Sequence, residues 1–191
     1  PDYLFVHKEV KEEFINLLKE NIISFFGTEA YKSENYGRII NQRQFLRLKN
    51  LLSQGEIIFG GKHDERNNYI SPTLIKPYEL NNSLMQDEIF GPILPILEFE
   101  NIESVIEYIN QRPRPLALYY FGNKNINIIK RTTSGGACIN DAIMHIIPHN
   151  VPFGGIDQSG MGAYHGKKSF DTFSHYKSVL KTHKNFEFKI K

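Results

Sequence analysis

The sequence predicts an α/β fold, a largely parallel sheet flanked by helices. Apolar residues alternate between short continuous runs, as in buried strands, and the three-and-four spacing of amphipathic helices. These segments follow one another at intervals that suit crossover connections between parallel strands. No internal repeat or low-complexity segment interrupts the alternation.

Tyr3, Leu4, Phe5 and Val6 form a first short strand run. Val10, Phe14, Leu17, Leu18, Ile22 and Phe25 then keep helical spacing, closed by Gly27. Polar residues 28–37 read as a loop, and Phe45, Leu48, Leu51 and Leu52 mark a second helix with Gly55 placed to cap it. Residues 56–59 and 69–75 are strand candidates separated by Gly60, Gly61 and a polar loop. Residues 93–99 form another, which Pro95 demotes toward a sheet edge or an interruption. Asn101 can cap a helix bearing Ile102, Val105, Ile106 and Ile109, stopped by Pro113 and Pro115. Residues 116–121 return as a strand, and an amphipathic stretch over 123–133 ends at Gly135 and Gly136 and feeds a strand at 137–140. After a short helix from Phe170 onward, residues 176–182 read as a strand with no later partner, which invites pairing with another subunit.

A chain of 191 residues suits one domain with a sizeable core, or most of one plus an arm. Lys and Arg total 23 against 21 Asp and Glu, and this balance gives no electrostatic case for nucleic acid or a membrane surface. Lys177, Lys181, Lys184, Lys189 and Lys191 are interleaved with apolar residues and read as a solvated strand edge. A single cysteine, Cys138, cannot form an internal disulfide and favours a reducing compartment. No apolar run approaches the roughly 18–20 residues that span a bilayer, and neither signal peptide nor lipidation motif is present. The expected location is the cytoplasm, or the cytoplasmic face of a membrane if a longer parent carries a hydrophobic tail. A chain opening on Pro1 fits a fragment or a processed product.

Gly160, Gly162 and Gly166 resemble a dinucleotide phosphate loop only superficially, because His165 occupies the third glycine position. Lys168 likewise stands where a P-loop needs Ser or Thr. Close packing is the better account of these glycines. Cys138 lies between Ala137 and Ile139 in a short apolar strand, where a thiol is ordinarily inert core. His145 and His149 are separated by Pro148, which breaks any helix that would align them on a metal, and no zinc spacing occurs elsewhere. Ile143, Ile146, Ile147 and Phe153 surround Met144 and His145 in a stretch too apolar for an exposed loop, so core packing is the default expectation.

The most informative residues are Asp87-Glu88-Ile89-Phe90-Gly91-Pro92. A carboxylate can accept hydrogen bonds from both hydroxyls of a ribose, and a ring two residues away can pack on a flat heterocycle. Alone, the run reads rather as a surface carboxylate and a core ring before a Gly-Pro turn. It is accompanied by Asn140-Asp141, Pro152-Phe153-Gly154-Gly155 and Ser159-Gly160-Met161-Gly162-Ala163-Tyr164-His165-Gly166. Together these blocks resemble the catalytic half of an aldehyde dehydrogenase, and the stretch through Lys167-Lys168-Ser169-Phe170 resembles the class 3 and fatty-aldehyde branch. The resemblance extends from Pro1 to about Val179.

The resemblance implies a cofactor, NAD with NADP possible, whose ribose meets Glu88 and whose nicotinamide packs on Phe90. It places Ile143, Ile146 and Phe153 in an apolar aldehyde tunnel, with Tyr164 and His165 at the substrate end. It makes residues 1–169 the C-terminal part of a catalytic domain and residues 170–191 an oligomerisation arm and tail, the partner being a second copy in a homodimer. The implied reaction is thiolate attack on a medium- or long-chain aliphatic or aromatic aldehyde, hydride transfer, then hydrolysis of the thioester to a carboxylic acid. By the same resemblance the nucleophilic cysteine and the glutamate base precede Pro1, Cys138 does not match the nucleophile, and this piece alone is expected to be inactive. The alternative is a non-catalytic truncated homologue that acts as a dimerisation partner.

Overall fold

The protein is described by a computed structural model over residues 1–123 and 127–182. Its first sheet contains β1 (Leu4–His7), β2 (Gly55–Phe59), β5 (Thr73–Pro77) and β6 (Ile93–Phe99) in the order β1-β6-β5-β2. A small hairpin of β3 (His63–Asp64) and β4 (Tyr69–Ile70) lies within the β2–β5 connection. Strand β6 runs parallel to both β1 and β5, whereas β2 is antiparallel to β5. The sheet is therefore only partly parallel.

Helices α1 (Lys11–Phe26) and α2 (Gln42–Leu51) supply the apolar cover. Ile15 of α1 is buried, and Phe14, Leu18 and Ile22 pack around Val6, Leu74 and Ile96. Val10 and Leu17, expected on this face, are each 49% exposed because they fall roughly a quarter turn away from the stripe. Asn41 caps α2 by accepting the Gln44 N–H at 3.0 Å. The helix buries Phe45, Leu48 and Leu51 against Ile70, Ile75, Leu84, Ile89 and Ile93. Gly55 does not cap it. A 3₁₀ turn (Leu52–Gln54) closes the helix, and Gly55 begins β2 in extended conformation. Glycine is required there by space, since a Cβ would lie 2.4 Å from the Lys76 carbonyl oxygen.

Pro95 neither breaks β6 nor marks an edge. Residues 93–95 pair with β5 and residues 96–99 with β1, so Pro95 sits at the hand-over, outside the interior of either ladder. Its side chain is fully buried.

Helix α3 (Ile102–Asn110) is capped by Asn101, whose Oδ1 accepts the Glu103 N–H at 3.0 Å, and buries Val105, Ile106 and Ile109. Strands β7 (Ala117–Tyr120) and β8 (Gly136–Ile139) pair in parallel across the short helix α4 (Ile128–Arg131). Part of the expected amphipathic stretch, residues 124–126, lies outside the described residues. The last helix, α5 (Gly166–Thr172), is followed by residues 173–182 without regular structure. Residues 176–182, expected to be a strand that pairs with a second copy, have no regular structure in the single chain. Instead the Tyr176 hydroxyl donates to Asp171 Oδ1, and the Lys167 ammonium, then this hydroxyl, hold the Asp171 carboxyl below the usual range. Lys184, Lys189 and Lys191 lie outside the described residues.

The chain divides into two compact units, Pro1–Val105 and Ile106–Lys191. No helix among the described residues is long and apolar enough to cross a membrane.

Candidate functional site

In the first unit, the loop before β6 presents Glu88 and Phe90 outward. Ile89 between them is 1% exposed and belongs to the core around Phe45 and Leu48, whereas Phe90 is 84% exposed. The buried Ile89 anchors the loop while the residues on either side of it stay exposed. Phe90 has φ +49, an uncommon conformation for an aromatic residue. Gly91 is needed next to it, because a Cβ would stand 2.6 Å from Leu48 Cδ2. The Glu88 side chain is exposed and, among the described residues, has no protein hydrogen-bond partner. An unengaged carboxylate and an exposed ring two residues apart fit a ligand that carries hydroxyls and a flat heterocycle.

In the second unit, the chain after β8 turns through a strained segment. The Asn140 N–H donates to Tyr120 O at 2.7 Å, and Asn140 Oδ1 accepts the Gly122 N–H at 2.8 Å. Ile143 has φ +69 and ψ −31, and the Met144 N–H donates to Ala142 O at 2.8 Å across it. This is a γ-turn of the rare hand, here at a β-branched residue. Such strain concentrates at functional segments and costs on the order of 1–3 kcal/mol. Ile143 is 59% and Ile147 56% exposed, contrary to the core packing expected for this stretch. The short 3₁₀ turn Met144–Ile146 and Pro148 leave these side chains without a covering element among the described residues.

Phe153 and Tyr164 form a two-residue antiparallel bridge, each N–H donating to the other's carbonyl at 3.0 Å. Their rings meet edge to face at 5.9 Å, and Tyr164 meets His165 at 4.3 Å. His165, with φ +83, donates its N–H to Ser169 Oγ at 2.8 Å at the start of α5. The structure thus brings Phe153, Tyr164 and His165 together and adds two residues that sequence reasoning set aside. His149 lies 5.5 Å from His165, and His145 lies 5.6 Å from Phe153, between ring centroids. Both histidines were weighed only as metal ligands; among the described residues no group of three or more His, Cys, Asp or Glu is placed to hold a metal. His145 Nε2 and His165 Nδ1 are buried without a hydrogen-bond partner, which marks a site that a ligand or water completes.

Cys138 is only partly buried, not sealed in a core, and its Sγ lies 3.4 Å from His145 Nδ1. The two-stranded β7–β8 sheet leaves none of its residues fully buried, which explains the difference.

Residues 1–179 match the model of the aldehyde dehydrogenase family. The chain belongs to this family. It is 47% identical over 184 residues to human aldehyde dehydrogenase family 3 member B1, covering 94% of this chain and 39% of that protein. It is 45% identical to the rat dimeric NADP-preferring aldehyde dehydrogenase, again covering 94% of this chain and 40% of the other. The substrate-bound structure of Staphylococcus aureus AldH superposes with a TM-score of 0.85 at 42% identity, covering 99% of this chain and 42% of that one. The chain therefore spans about two fifths of the length of these relatives.

Proposed function

We propose that these residues serve the NAD(P)-dependent oxidation of aldehydes to carboxylic acids, with Glu88 on the cofactor ribose and Phe90 on the nicotinamide. The observation that carries this reading is the pair of exposed side chains flanking the buried Ile89. When bound, the cofactor supplies the hydride acceptor. Glu88 holds the ribose hydroxyls through charge-assisted bonds, and the Phe90 ring fixes which face of the nicotinamide meets substrate. Ile143, Ile146 and Phe153 form apolar wall, and Tyr164 and His165 the polar substrate end. Apolar walls favour medium- and long-chain aliphatic or aromatic aldehydes, since such substrates bind mainly through buried area.

The name of the rat relative, dimeric and NADP-preferring, supports NADP as an alternative cofactor and a homodimer. We assign residues 1–169 to the catalytic domain and the segment from 170 onward to the dimer contact. Phe173, Tyr176, Val179 and Leu180 are each at least 70% exposed and available for a second copy. Cys138, beside His145 in β8, is not assigned as the nucleophile, and the 191-residue polypeptide by itself is expected to be inactive.

Glu88→Gln in the whole protein that carries these residues tests the reading. A carboxylate bonded to hydroxyls contributes about 1.5–3 kcal/mol, so cofactor affinity or the hydride step should fall roughly 10- to 100-fold. Unchanged cofactor kinetics beside a lowered melting temperature would reduce Glu88 to a structural role.

A further inference from the structure

The loop that carries Glu88 and Phe90 has no secondary structure of its own, so its direction is imposed from outside. Both backbone polar groups of Ile89 are gripped by charged side chains from distant parts of the first unit. The Ile89 N–H donates to Asp2 Oδ1 at 2.9 Å, and Arg47 Nη2 donates to the Ile89 carbonyl at 2.5 Å. Arg47 is itself braced on α2, where its Nε donates to Gln44 Oε1 at 2.8 Å. Ile89 is thus fixed at three points: its side chain in the core, its donor on a carboxylate and its acceptor on a guanidinium. Bonds to charged partners are shorter and stronger than neutral ones, and a guanidinium presents its donors in a rigid fork. Phe90 has a left-handed backbone and an exposed ring, so local preference alone would not keep it in place.

We propose that Asp2 and Arg47 are positioning residues for the cofactor clamp, aiming the Glu88 carboxylate and the Phe90 ring by holding the peptide groups of Ile89. This inference rests on the reading that Glu88 and Phe90 meet the cofactor. Asp2 and Arg47 touch no reacting atom; they act through the loop. Releasing either bond leaves the core contact of Ile89 in place while freeing the rotation of its neighbours. The expected signature is weakened cofactor binding at unchanged aldehyde KM.

The test uses the whole protein that carries these residues, with NAD and NADP as probes and four substitutions: Asp2→Ala, Asp2→Asn, Arg47→Met and Glu88→Gln. Asp2→Ala and Arg47→Met should each raise the cofactor dissociation constant roughly tenfold. Asp2→Asn, which keeps an acceptor oxygen, should recover most of that loss. If Arg47→Met fails to fold, Gln44→Leu removes only the brace and should show the same effect in weaker form. A Glu88→Gln variant that binds both cofactors normally defeats the cofactor reading itself. Normal binding in the Asp2 and Arg47 variants beside weakened binding in Glu88→Gln defeats the positioning role alone. Equal losses in cofactor and aldehyde KM, tracking a fall in melting temperature, would also overturn it, because they describe a structural anchor.

Discussion

Phe45, Leu48 and Ile75 of the first unit are fully buried, whereas Ile139, Ile143 and Phe173 of the second are each more than half exposed. The first unit closes a core of its own between α2, β5 and β6. The second buries Ile106, Ile109 and Ile128 but leaves Ile147, Phe170 and Tyr176 open to solvent. The contrast teaches that the first unit supplies a closed core that anchors the Glu88–Phe90 loop through Ile89, while the second leaves more of its apolar side chains at the surface.

The sharpest way to break that contrast is to truncate one ring in each unit. Phe45→Ala should destabilise by about 3–5 kcal/mol, measured by denaturant unfolding, because a fully buried ring leaves a cavity. Phe153→Ala removes a half-buried ring and should cost about 1 kcal/mol. Equal losses would mean that the second unit also depends on a closed core.

A smaller effect of opposite sign is expected at Ile143. Glycine there relieves a left-handed β-branched backbone, worth about 1–2 kcal/mol, against an entropic cost of roughly 0.5–1 kcal/mol. Ile143→Gly should therefore be neutral to slightly stabilising in thermal melts, and should raise KM for aliphatic aldehydes in the whole protein. A clear loss of stability would show that the exposed side chain is packed after all.

The smallest effect concerns the ion pair that ties α1 to β6. Lys11 Nζ donates to Glu98 Oε2 at 2.8 Å, and this bond holds the Glu98 carboxyl below the usual range while raising the Lys11 ammonium. A depressed carboxyl contributes stability above its unfolded value, near 4.3, and loses it as pH falls through the folded value. The melting temperatures of wild type and Glu98→Gln should differ slightly at neutral pH and converge in acid. A gap that persists in acid would assign the effect to packing.

Much of this was legible where chemistry is local. Helical spacing located α2 and α3, and Asn101 announced its cap; the run from Asp87 to Pro92 alone suggests a core ring before a Gly-Pro turn, whereas Phe90 stands exposed. What stayed hidden depends on distant partners. Pro95 looked like an edge signal because nothing local says that β6 changes neighbours there. Ile15 hid beside Phe14, since three-and-four spacing admits more than one stripe when apolar residues are adjacent. Asp2 and Arg47 carry no motif, and their shared target at Ile89 exists only once the chain has folded. Residues 176–182 have strand composition, but no strand among the described residues lies beside them, and composition does not name a partner.

The glycines of the second unit bear on how substitutions across its segment should be interpreted. An added methyl would fall 2.2 Å from the Gly154 oxygen at Gly135, 2.2 Å from the Gly162 oxygen at Gly154, and 2.1 Å from the Ser159 oxygen at Gly155. Three stretches of main chain therefore pass each other at bare backbone width. In a saturation scan these positions would reject every replacement, alanine included, whatever substrate the protein meets. Intolerance at Gly135, Gly154 and Gly155 consequently measures clearance between peptide planes, not contact with a ligand.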